Sequence, residues 1–335
     1  MRRWSIKVKA RLPAEISLAA MVDDLAHALG WSQPQLEGPI SVRNNSTVYI
    51  VRPGNGQSVR AILKCCRNPV TGLSDNESAN RQFHALSRAH GALDSVGLGQ
   101  DVPRPLLLLP AAGAYAMSWV EGEPLTAWLY RRCELSALVD ACERAGHWLA
   151  RFHTAGPLRA GVADIASKLI RIDEMRRLPV RHPVFKLALN ALASTSDIIL
   201  SPQLHISWLH GDCKADNLLI SRANVVGIDM DLRYENSIEH DLAQFMNHLD
   251  LVLMRYRLLH LRRNAGLLQN SFILGYRKSG ISINMDFLGW LRMWSALTLW
   301  HSSLVEAPPP WYKRWLLERQ FSNLTGRIQA QVGRA

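Results

Sequence analysis

The 335-residue sequence has no run of 18 consecutive apolar residues, so no segment is long enough to cross a bilayer as a helix. Its basic N-terminus lacks the long apolar core of a signal peptide, because Asp23 and Asp24 interrupt the one apolar stretch there. There is no low-complexity tract and no internal repeat, and charged residues make up only 20% of the chain, which excludes a disordered polymer. The cysteines are Cys65, Cys66, Cys133, Cys142 and Cys213, an odd set of five spaced for neither a disulfide framework nor a zinc site. A reducing cytoplasm is the expected compartment. Also missing is any zinc-finger, RNA-recognition or basic-helix signature, so the net charge of +11 does not by itself make a nucleic-acid binder. That charge favours an anionic partner of some kind. What is present is 48% hydrophobic residues, enough for a substantial core and more than one lobe.

Hydrophobic periodicity divides the chain. Residues 13–29 read as a helix opened by Pro13. "TVYIV" and "SVRAILK" read as two strands of an antiparallel hairpin joined by the turn-rich "RPGNGQ". "SDNESANRQFHALSRAH" reads as a helix capped by Ser74 or Asp75, with Ala79, Phe83 and Leu86 on its apolar face. "RPLLLL" and "AYAMSWV" add two strands. Residues 1–120 are thus expected to form an α+β lobe, a small antiparallel sheet with one major helix. Residues 121–335 are mostly helical, as in "ALVDACERAGHWLARFH", where Leu138, Cys142, Ala145, Leu149 and Phe152 recur at helical spacing. The exception is 205–230, where "HISWL", "NLLI" and "VVGID" are short strand-like runs.

Between the first two of those runs stands "HGDCKADN", His210 to Asn217, a polar cluster expected at the mouth of a small sheet. Asp212 and Asn217 are five apart, and Asp229 ends the apolar run "VVGID". An acid in a loop, an amide five residues on and an acid after a strand are the set that phosphoryl transfer requires. The first acid takes or orients the proton of an attacking hydroxyl. The amide oxygen and the second acid suit a hard cation such as Mg²⁺. A lysine to grip the phosphates is expected on an early strand, and Lys64 ends "VRAILK". A turn is expected to cover them, and "RNNSTVY" supplies backbone N–H groups and the hydroxyls of Ser46 and Thr47.

Together these motifs resemble the aminoglycoside phosphotransferase and choline kinase superfamily over residues 38–245. "HGDCKADN" is similar to its catalytic loop, "VVGIDMD" to its metal-binding strand end, "HDLAQF" to the helix start that follows, and "MSWVEGEPL" to the hinge that holds adenine. The resemblance implies a protein-kinase-like bilobal fold with ATP and Mg²⁺ as cofactors. It implies Asp212 as catalytic base and Asn217 and Asp229 as metal ligands. Lys64, Ser46, Thr47, Lys214, Ser118 and Val120 would contact the nucleotide. The helix partner of Lys64 is open: the family's glutamate aligns with Gln82, whereas the nearest acid, Glu77, lies five residues away, about 140° around a helix. His210 is expected to hold the loop by packing and Asp241 to brace it from a helix N-terminus. Cys213 is expected to be a small loop residue, and Cys65 and Cys66 one core and one surface residue.

Several departures narrow the reading. The 44–47 turn has no glycine, no Asp-Phe-Gly follows the metal acid, and only eleven residues separate Asp229 from Asp241. That leaves no room for a long activation loop or a peptide platform. The expected partner is therefore a small hydroxylated substrate such as a sugar, an aminoglycoside or an amino alcohol, not nucleic acid. Residues 233–335 carry 13 Lys+Arg against 7 Asp+Glu, which disfavours a polycationic acceptor. A metal phosphohydrolase built on "HGD" and His240-Asp241 would be all-helical, against the strands between the two motifs. A non-catalytic nucleotide-binding scaffold would have lost one of Asp212, Asn217, Asp229 or Lys64. The C-terminal tryptophans, with Trp290 and Trp294 sharing a helix face, are expected to serve packing rather than an aromatic cage. The sequence sets no oligomeric state.

Overall fold

The computed structural model describes residues 17–54, 59–131, 133–163, 165–177, 182–195, 203–303, 318–319 and 321–326. The expected helix residues 13–16, part of the 52–57 turn, and Trp311 and Trp315 lie outside that set. The chain divides into two compact units, residues 1–120 and 121–335.

The first unit begins with α1 (Leu18–Leu29). The Ser17 hydroxyl accepts the Ala20 N–H, and Gly30, in the left-handed region, closes the helix. A five-stranded antiparallel sheet follows: β1 (Gln35–Arg43), β2 (Ser46–Arg52), β3 (Ala61–Cys66), β4 (Pro105–Leu109) and β5 (Ala114–Ser118), in the order β1-β2-β3-β5-β4. The expected hairpin is β2 and β3. β1 carries no clear alternation in sequence because it is an exposed edge strand. It is interrupted at Gly38-Pro39, where its register with β2 shifts. α2 (Asn76–Asp94) packs on one face of the sheet and α1 on the other; Asp75 is the α2 cap, accepting the Ser78 N–H at 2.8 Å.

All six residues of central β3 are buried, and they alternate strictly. Ala61, Leu63 and Cys65 join Met21, Val22 and Leu25 of α1. Ile62 and Cys66 join Ala79 and Leu86 of α2. Cys66 is therefore a core residue like Cys65, not a surface one, because β3 is covered on both faces.

The second unit holds α3 (Leu125–Tyr130), α4 (Leu135–Ala155), α5 (Ala166–Arg177), α6 (Pro183–Ser194), α7 (Glu239–Leu253), α8 (Ala265–Arg277) and α9 (Met285–His301). Six short strands form two separate sheets. β6 (Glu123–Pro124), β9 (Leu218–Ile220) and β10 (Val225–Gly227) make one. β7 (Arg159–Gly161), β8 (Leu204–Trp208) and β11 (Glu235–Ser237) make the other. The sequence suggested one small sheet around "HGDCKADN"; the structure has the loop crossing from one sheet to another, since β8 and β9 pair with different partners.

The tryptophans serve packing. The Trp290 indole donates to Leu192 O at 3.1 Å, and the Trp300 ring lies between Phe185 and Phe321. Two glycines set the closest helix crossing. A Cβ on Gly146 of α4 would stand 1.9 Å from the Phe272 carbonyl oxygen, and one on Gly275 of α8 would stand 1.8 Å from that of Glu143. Each clash is with backbone, so α4 and α8 must separate to accept a methyl group. Gly146→Ala and Gly275→Ala are each expected to cost about 1–3 kcal/mol or more through overpacking. Urea unfolding of the two variants checks this, against Gly266→Ala, whose Cβ would meet nothing within 4 Å.

Candidate active site

The 210–217 loop is held by its backbone. Asp241, in the first turn of α7, accepts the His210 N–H at 2.6 Å and the Gly211 N–H at 3.1 Å, one on each carboxylate oxygen. One turn on, the Gln244 carboxamide accepts the Cys213 N–H at 2.8 Å and donates to Gly211 O at 3.3 Å. One turn further, His248 Nδ1 accepts the Ala215 N–H at 3.3 Å. Residues 241, 244 and 248 share one helix face, so α7 presents a ladder of polar side chains to a loop with no ladder of its own. Buried N–H groups need such partners.

Asp241 is itself held. His153 of α4, fully buried, places Nε2 at 3.0 Å from Asp241 Oδ2 and Nδ1 at 2.8 Å from the Tyr276 hydroxyl. The carboxylate only accepts, so His153 donates from Nε2 and receives the tyrosine proton at Nδ1. Burial alone would raise the Asp241 pKa. The hydrogen bonds that its carboxylate accepts, from the His153 ring and from the His210 N–H, outweigh that and hold it below the usual carboxylate range. The sequence drew attention to Asp241 but not to His153, Tyr276, Gln244 or His248. The 241/244/248 spacing was the available signal for the last two.

His210 is fully buried against Trp148 and Phe152, and desolvation lowers its pKa. Its Nδ1 accepts the Asp212 N–H at 3.3 Å, so it is a packing and backbone residue. Cys213 is also fully buried, and burial pushes its thiol well up, which makes it a poor nucleophile. Gly211 has φ 79°, and a Cβ there would meet the Asp231 Cβ at 2.9 Å. Asp216 faces away from Asp212's partners: Thr126 of α3 donates to it and His248 lies 3.4 Å from it, and the His248 hydrogen bond holds its carboxyl well below the usual range.

Asp212 reaches solvent, with its side chain 42% exposed. Its Oδ2 receives both the Lys214 ammonium and the Asn217 Nδ2 at 2.9 Å, leaving Oδ1 to take a proton. Asn217 also donates to Asp212 O at 2.9 Å. With its NH₂ group committed, the carboxamide oxygen is the atom Asn217 has for a cation. Asn217 O accepts the Ile228 N–H at 2.9 Å, which ties the loop to the end of β10. The next residue, Asp229, has φ 60°, a left-handed turn that re-aims the chain after the strand. Asn217 and Asp229 thus offer an amide oxygen and a carboxylate, donors that fit a hard divalent cation. Among the described residues no cluster of three or more His, Cys, Asp or Glu has metal-binding geometry. A cation held by two protein oxygens would complete its shell with phosphate and water, as Mg²⁺ does.

In the first unit, Lys64 is 6% exposed, on the α2 face of the sheet directly opposite Tyr115. Its ammonium lies 5.9 Å from the centre of the Tyr115 ring. The Tyr115 hydroxyl donates to Gln82 Oε1 at 3.2 Å, and Gln82 Nε2 donates to Ser78 Oγ at 2.8 Å. The Glu77 carboxylate is 92% exposed beside Arg81, an exposure it would lose in gripping a buried lysine. Glu77 is therefore not the helix partner of Lys64. It is one turn too early on α2, and its acid suits the helix N-terminus. Ser46 and Thr47 are also placed differently from the expectation. The turn is Asn44-Asn45 alone, and both hydroxyl residues are buried at the start of β2. Ser46 pairs with Cys66 and shares the Lys64 face, whereas Thr47 pairs with Cys65 and lies on the α1 face. Strand alternation prevents the two from serving one ligand. Ser118, at the end of β5, accepts the Arg104 N–H at 2.8 Å on its hydroxyl, and Val120 ends the unit.

His240, next to the bracing Asp241, gives a pH signature. Burial, followed by the nearby Lys168 charge, lowers its pKa to about 4. Between the unfolded value of about 6.5 and 4, the unfolded chain holds a proton that the folded chain does not. Stability is thus present above pH 6.5 and lost as pH falls, by about 1.4 kcal/mol per pH unit for one proton. His240→Gln is expected to flatten the slope between pH 6.5 and 5 by one proton's worth, measured from urea midpoints; an unchanged slope contradicts the assignment.

No curated protein shares significant sequence similarity with the chain. Among solved structures it is similar to a glucosamine kinase in complex with glucosamine, ADP and inorganic phosphate, at 15% identity and TM-score 0.56, covering 89% of this chain and 96% of that one. It is similar to a choline/ethanolamine kinase family protein from Mesorhizobium loti, at 13% identity and TM-score 0.58, covering 93% of each chain. It is also similar to an amicoumacin kinase in complex with AMP-PNP and Ca²⁺, at 12% identity and TM-score 0.59, covering 93% of this chain and 94% of that one. The shared fold is protein-kinase-like, with an antiparallel sheet in the N-terminal unit and a mostly helical C-terminal unit. Residues 38–253 match one family over most of the chain, and the protein belongs to the phosphotransferase enzyme family.

Proposed function

We propose that this phosphotransferase moves the γ-phosphoryl group of ATP to a hydroxyl of a small molecule. The observation that carries the reading is Asp212. It is a solvent-reaching carboxylate with one oxygen committed to Asn217 and Lys214, on a loop pinned at four backbone N–H groups. Asp212 accepts the proton of the acceptor hydroxyl at Oδ1 as the oxygen attacks the γ-phosphorus, and the bond from that phosphorus to the β,γ-bridging oxygen breaks to release ADP. Asn217 and Asp229 hold Mg²⁺, which when bound neutralises the phosphate oxygens. Lys64 grips the α- and β-phosphates and is oriented through Tyr115 and Gln82. Lys214 holds the Asp212 carboxylate in place and adds positive charge where the transferred group passes. The Asn44-Asn45 turn and Ser46 cover the phosphates, and the hinge at Ser118–Val120 takes the adenine.

The family membership supports a small-molecule kinase, as do neighbours named for glucosamine, choline/ethanolamine and amicoumacin. The basic balance of residues 233–335 supports a neutral or anionic acceptor over a polycation. A cytoplasmic location is consistent with five cysteines in no disulfide among the described residues.

Asp212→Asn is expected to keep folding and nucleotide binding while lowering turnover by about 10²–10⁴, the range of general-base catalysis. Wild-type turnover in the purified variant would overturn the assignment. Glu77→Gln is expected to leave the KM for ATP unchanged, and Gln82→Leu to raise it by loosening Tyr115 beside Lys64. Steady-state kinetics at varied ATP separates the two, and a raised KM in Glu77→Gln contradicts the placement.

A further inference from the structure

From the last turn of α7 the chain runs from residue 251 to 285 without an Asp or Glu, while carrying Arg255, Arg257, Arg262, Arg263, Arg277 and Lys278. Part of this stretch, Tyr256–Asn264, is a 3-10 helix. With three residues per turn, a 3-10 helix stacks positions three apart into rows. One row, Leu258 and Leu261, is buried. A second, Arg257, His260 and Arg263, lines a cavity of about 680 Å³ closed on its other side by Tyr130 and Arg131 at the end of α3. The third row is Tyr256, Leu259 and Arg262, with Tyr256 88% and Leu259 46% accessible and Arg262 half-buried.

The cavity is built rather than incidental. The Arg255 guanidinium donates to the Tyr130 hydroxyl at 3.1 Å, and the Arg257 guanidinium stands 5.5 Å over the Tyr130 ring. No acidic residue lines it, although Arg131 is paired outward with Glu123, so the free cationic side is the Arg257-His260-Arg263 row. Asn264, at the N-cap of α8, makes no side-chain capping bond and lines the cavity instead. A cationic row beside an exposed Tyr-Leu row is the pattern of an element lying in the headgroup region of an anionic membrane. The arginines meet phosphate, and the apolar side chains reach the acyl boundary. A free anion would use the arginines but give Tyr256 and Leu259 nothing to cover them.

We propose that this face of the second unit is a peripheral docking site for an anionic lipid surface, with a headgroup phosphate entering the cavity between Arg131 and the Arg257-His260-Arg263 row. The proposal does not rest on the phosphotransferase reading, and its readout is binding rather than turnover.

The test is co-sedimentation of the full chain with vesicles of phosphatidylcholine alone or mixed with phosphatidylglycerol. Binding is expected only with the anionic lipid and is expected to fall with added salt. Arg257→Glu/Arg263→Glu is expected to weaken it by roughly 30-fold or more, since each basic residue near the surface contributes about fivefold. Tyr256→Ser/Leu259→Ser is expected to weaken it separately. Arg104→Glu/Arg222→Glu, the same charge change on exposed residues elsewhere, is expected to stay within about threefold of wild type, with circular dichroism confirming that each variant is folded. Absence of binding to the anionic vesicles overturns the proposal. So does an equal loss in the Arg104/Arg222 control, which would reduce the effect to net charge. Inorganic phosphate binding by calorimetry that depends on Arg257 and Arg263, without vesicle binding, overturns it in favour of a free-anion site.

Discussion

The buried carboxylate of Asp241 is the constraint on which the site depends. It accepts two successive backbone N–H groups, at His210 and Gly211, and a third hydrogen bond from His153. A buried charge is stable only when its hydrogen bonds are satisfied. Here satisfying it also fixes the two residues ahead of Asp212. The same anchor ties together α7, which carries Asp241, α4, which carries His153, and α8, which carries Tyr276. The α4–α8 crossing brings His153 and Tyr276 together, and Gly146 and Gly275 allow that crossing to be close. A methyl group at the crossing therefore bears on the loop through two hydrogen bonds.

The loop chemistry follows from how its polar groups divide. His210, Cys213, Ala215 and Asn217 are buried and serve the fold of the loop. Asp212 and Lys214 reach solvent and are open to a ligand. Asn217 does both: its NH₂ group fixes Asp212 and its carbonyl oxygen is left for a cation. The loop runs between two apolar strands, β8 and β9. The strands belong to two sheets, and the crossing between them is spanned by polar side chains of α7 rather than by a backbone ladder.

Much of this was legible. The strands β2, β3, β4 and β5 showed alternation or apolar runs, α2 and α4 showed helical periodicity, and the unit boundary fell where strands gave way to helices. Asp212, Asn217 and Asp229 drew attention as polar groups that interrupt apolar runs. Less legible was whatever depends on pairing. β1 was hidden because an exposed edge strand with Gly-Pro inside has no pattern to read. Cys66 was misplaced because a strand buried on both faces looks no different from one buried on a single face. Glu77 drew attention as an acid near a lysine. Only the α2 phase shows that Gln82 faces inward and Glu77 outward. Thr47 and Ser46 were grouped by adjacency, whereas adjacent strand residues face opposite ways.

The central claim is phosphoryl transfer to a hydroxyl with Asp212 as the proton acceptor. The most direct test is ³¹P NMR of ATP and Mg²⁺ incubated with the protein and a panel of neutral and anionic hydroxylated acceptors. The account predicts a new phosphomonoester resonance growing with ADP for at least one acceptor, and its loss in Asp212→Asn. ADP accompanied only by inorganic phosphate across the panel, or the same phosphomonoester formed at an undiminished rate by Asp212→Asn, would contradict it.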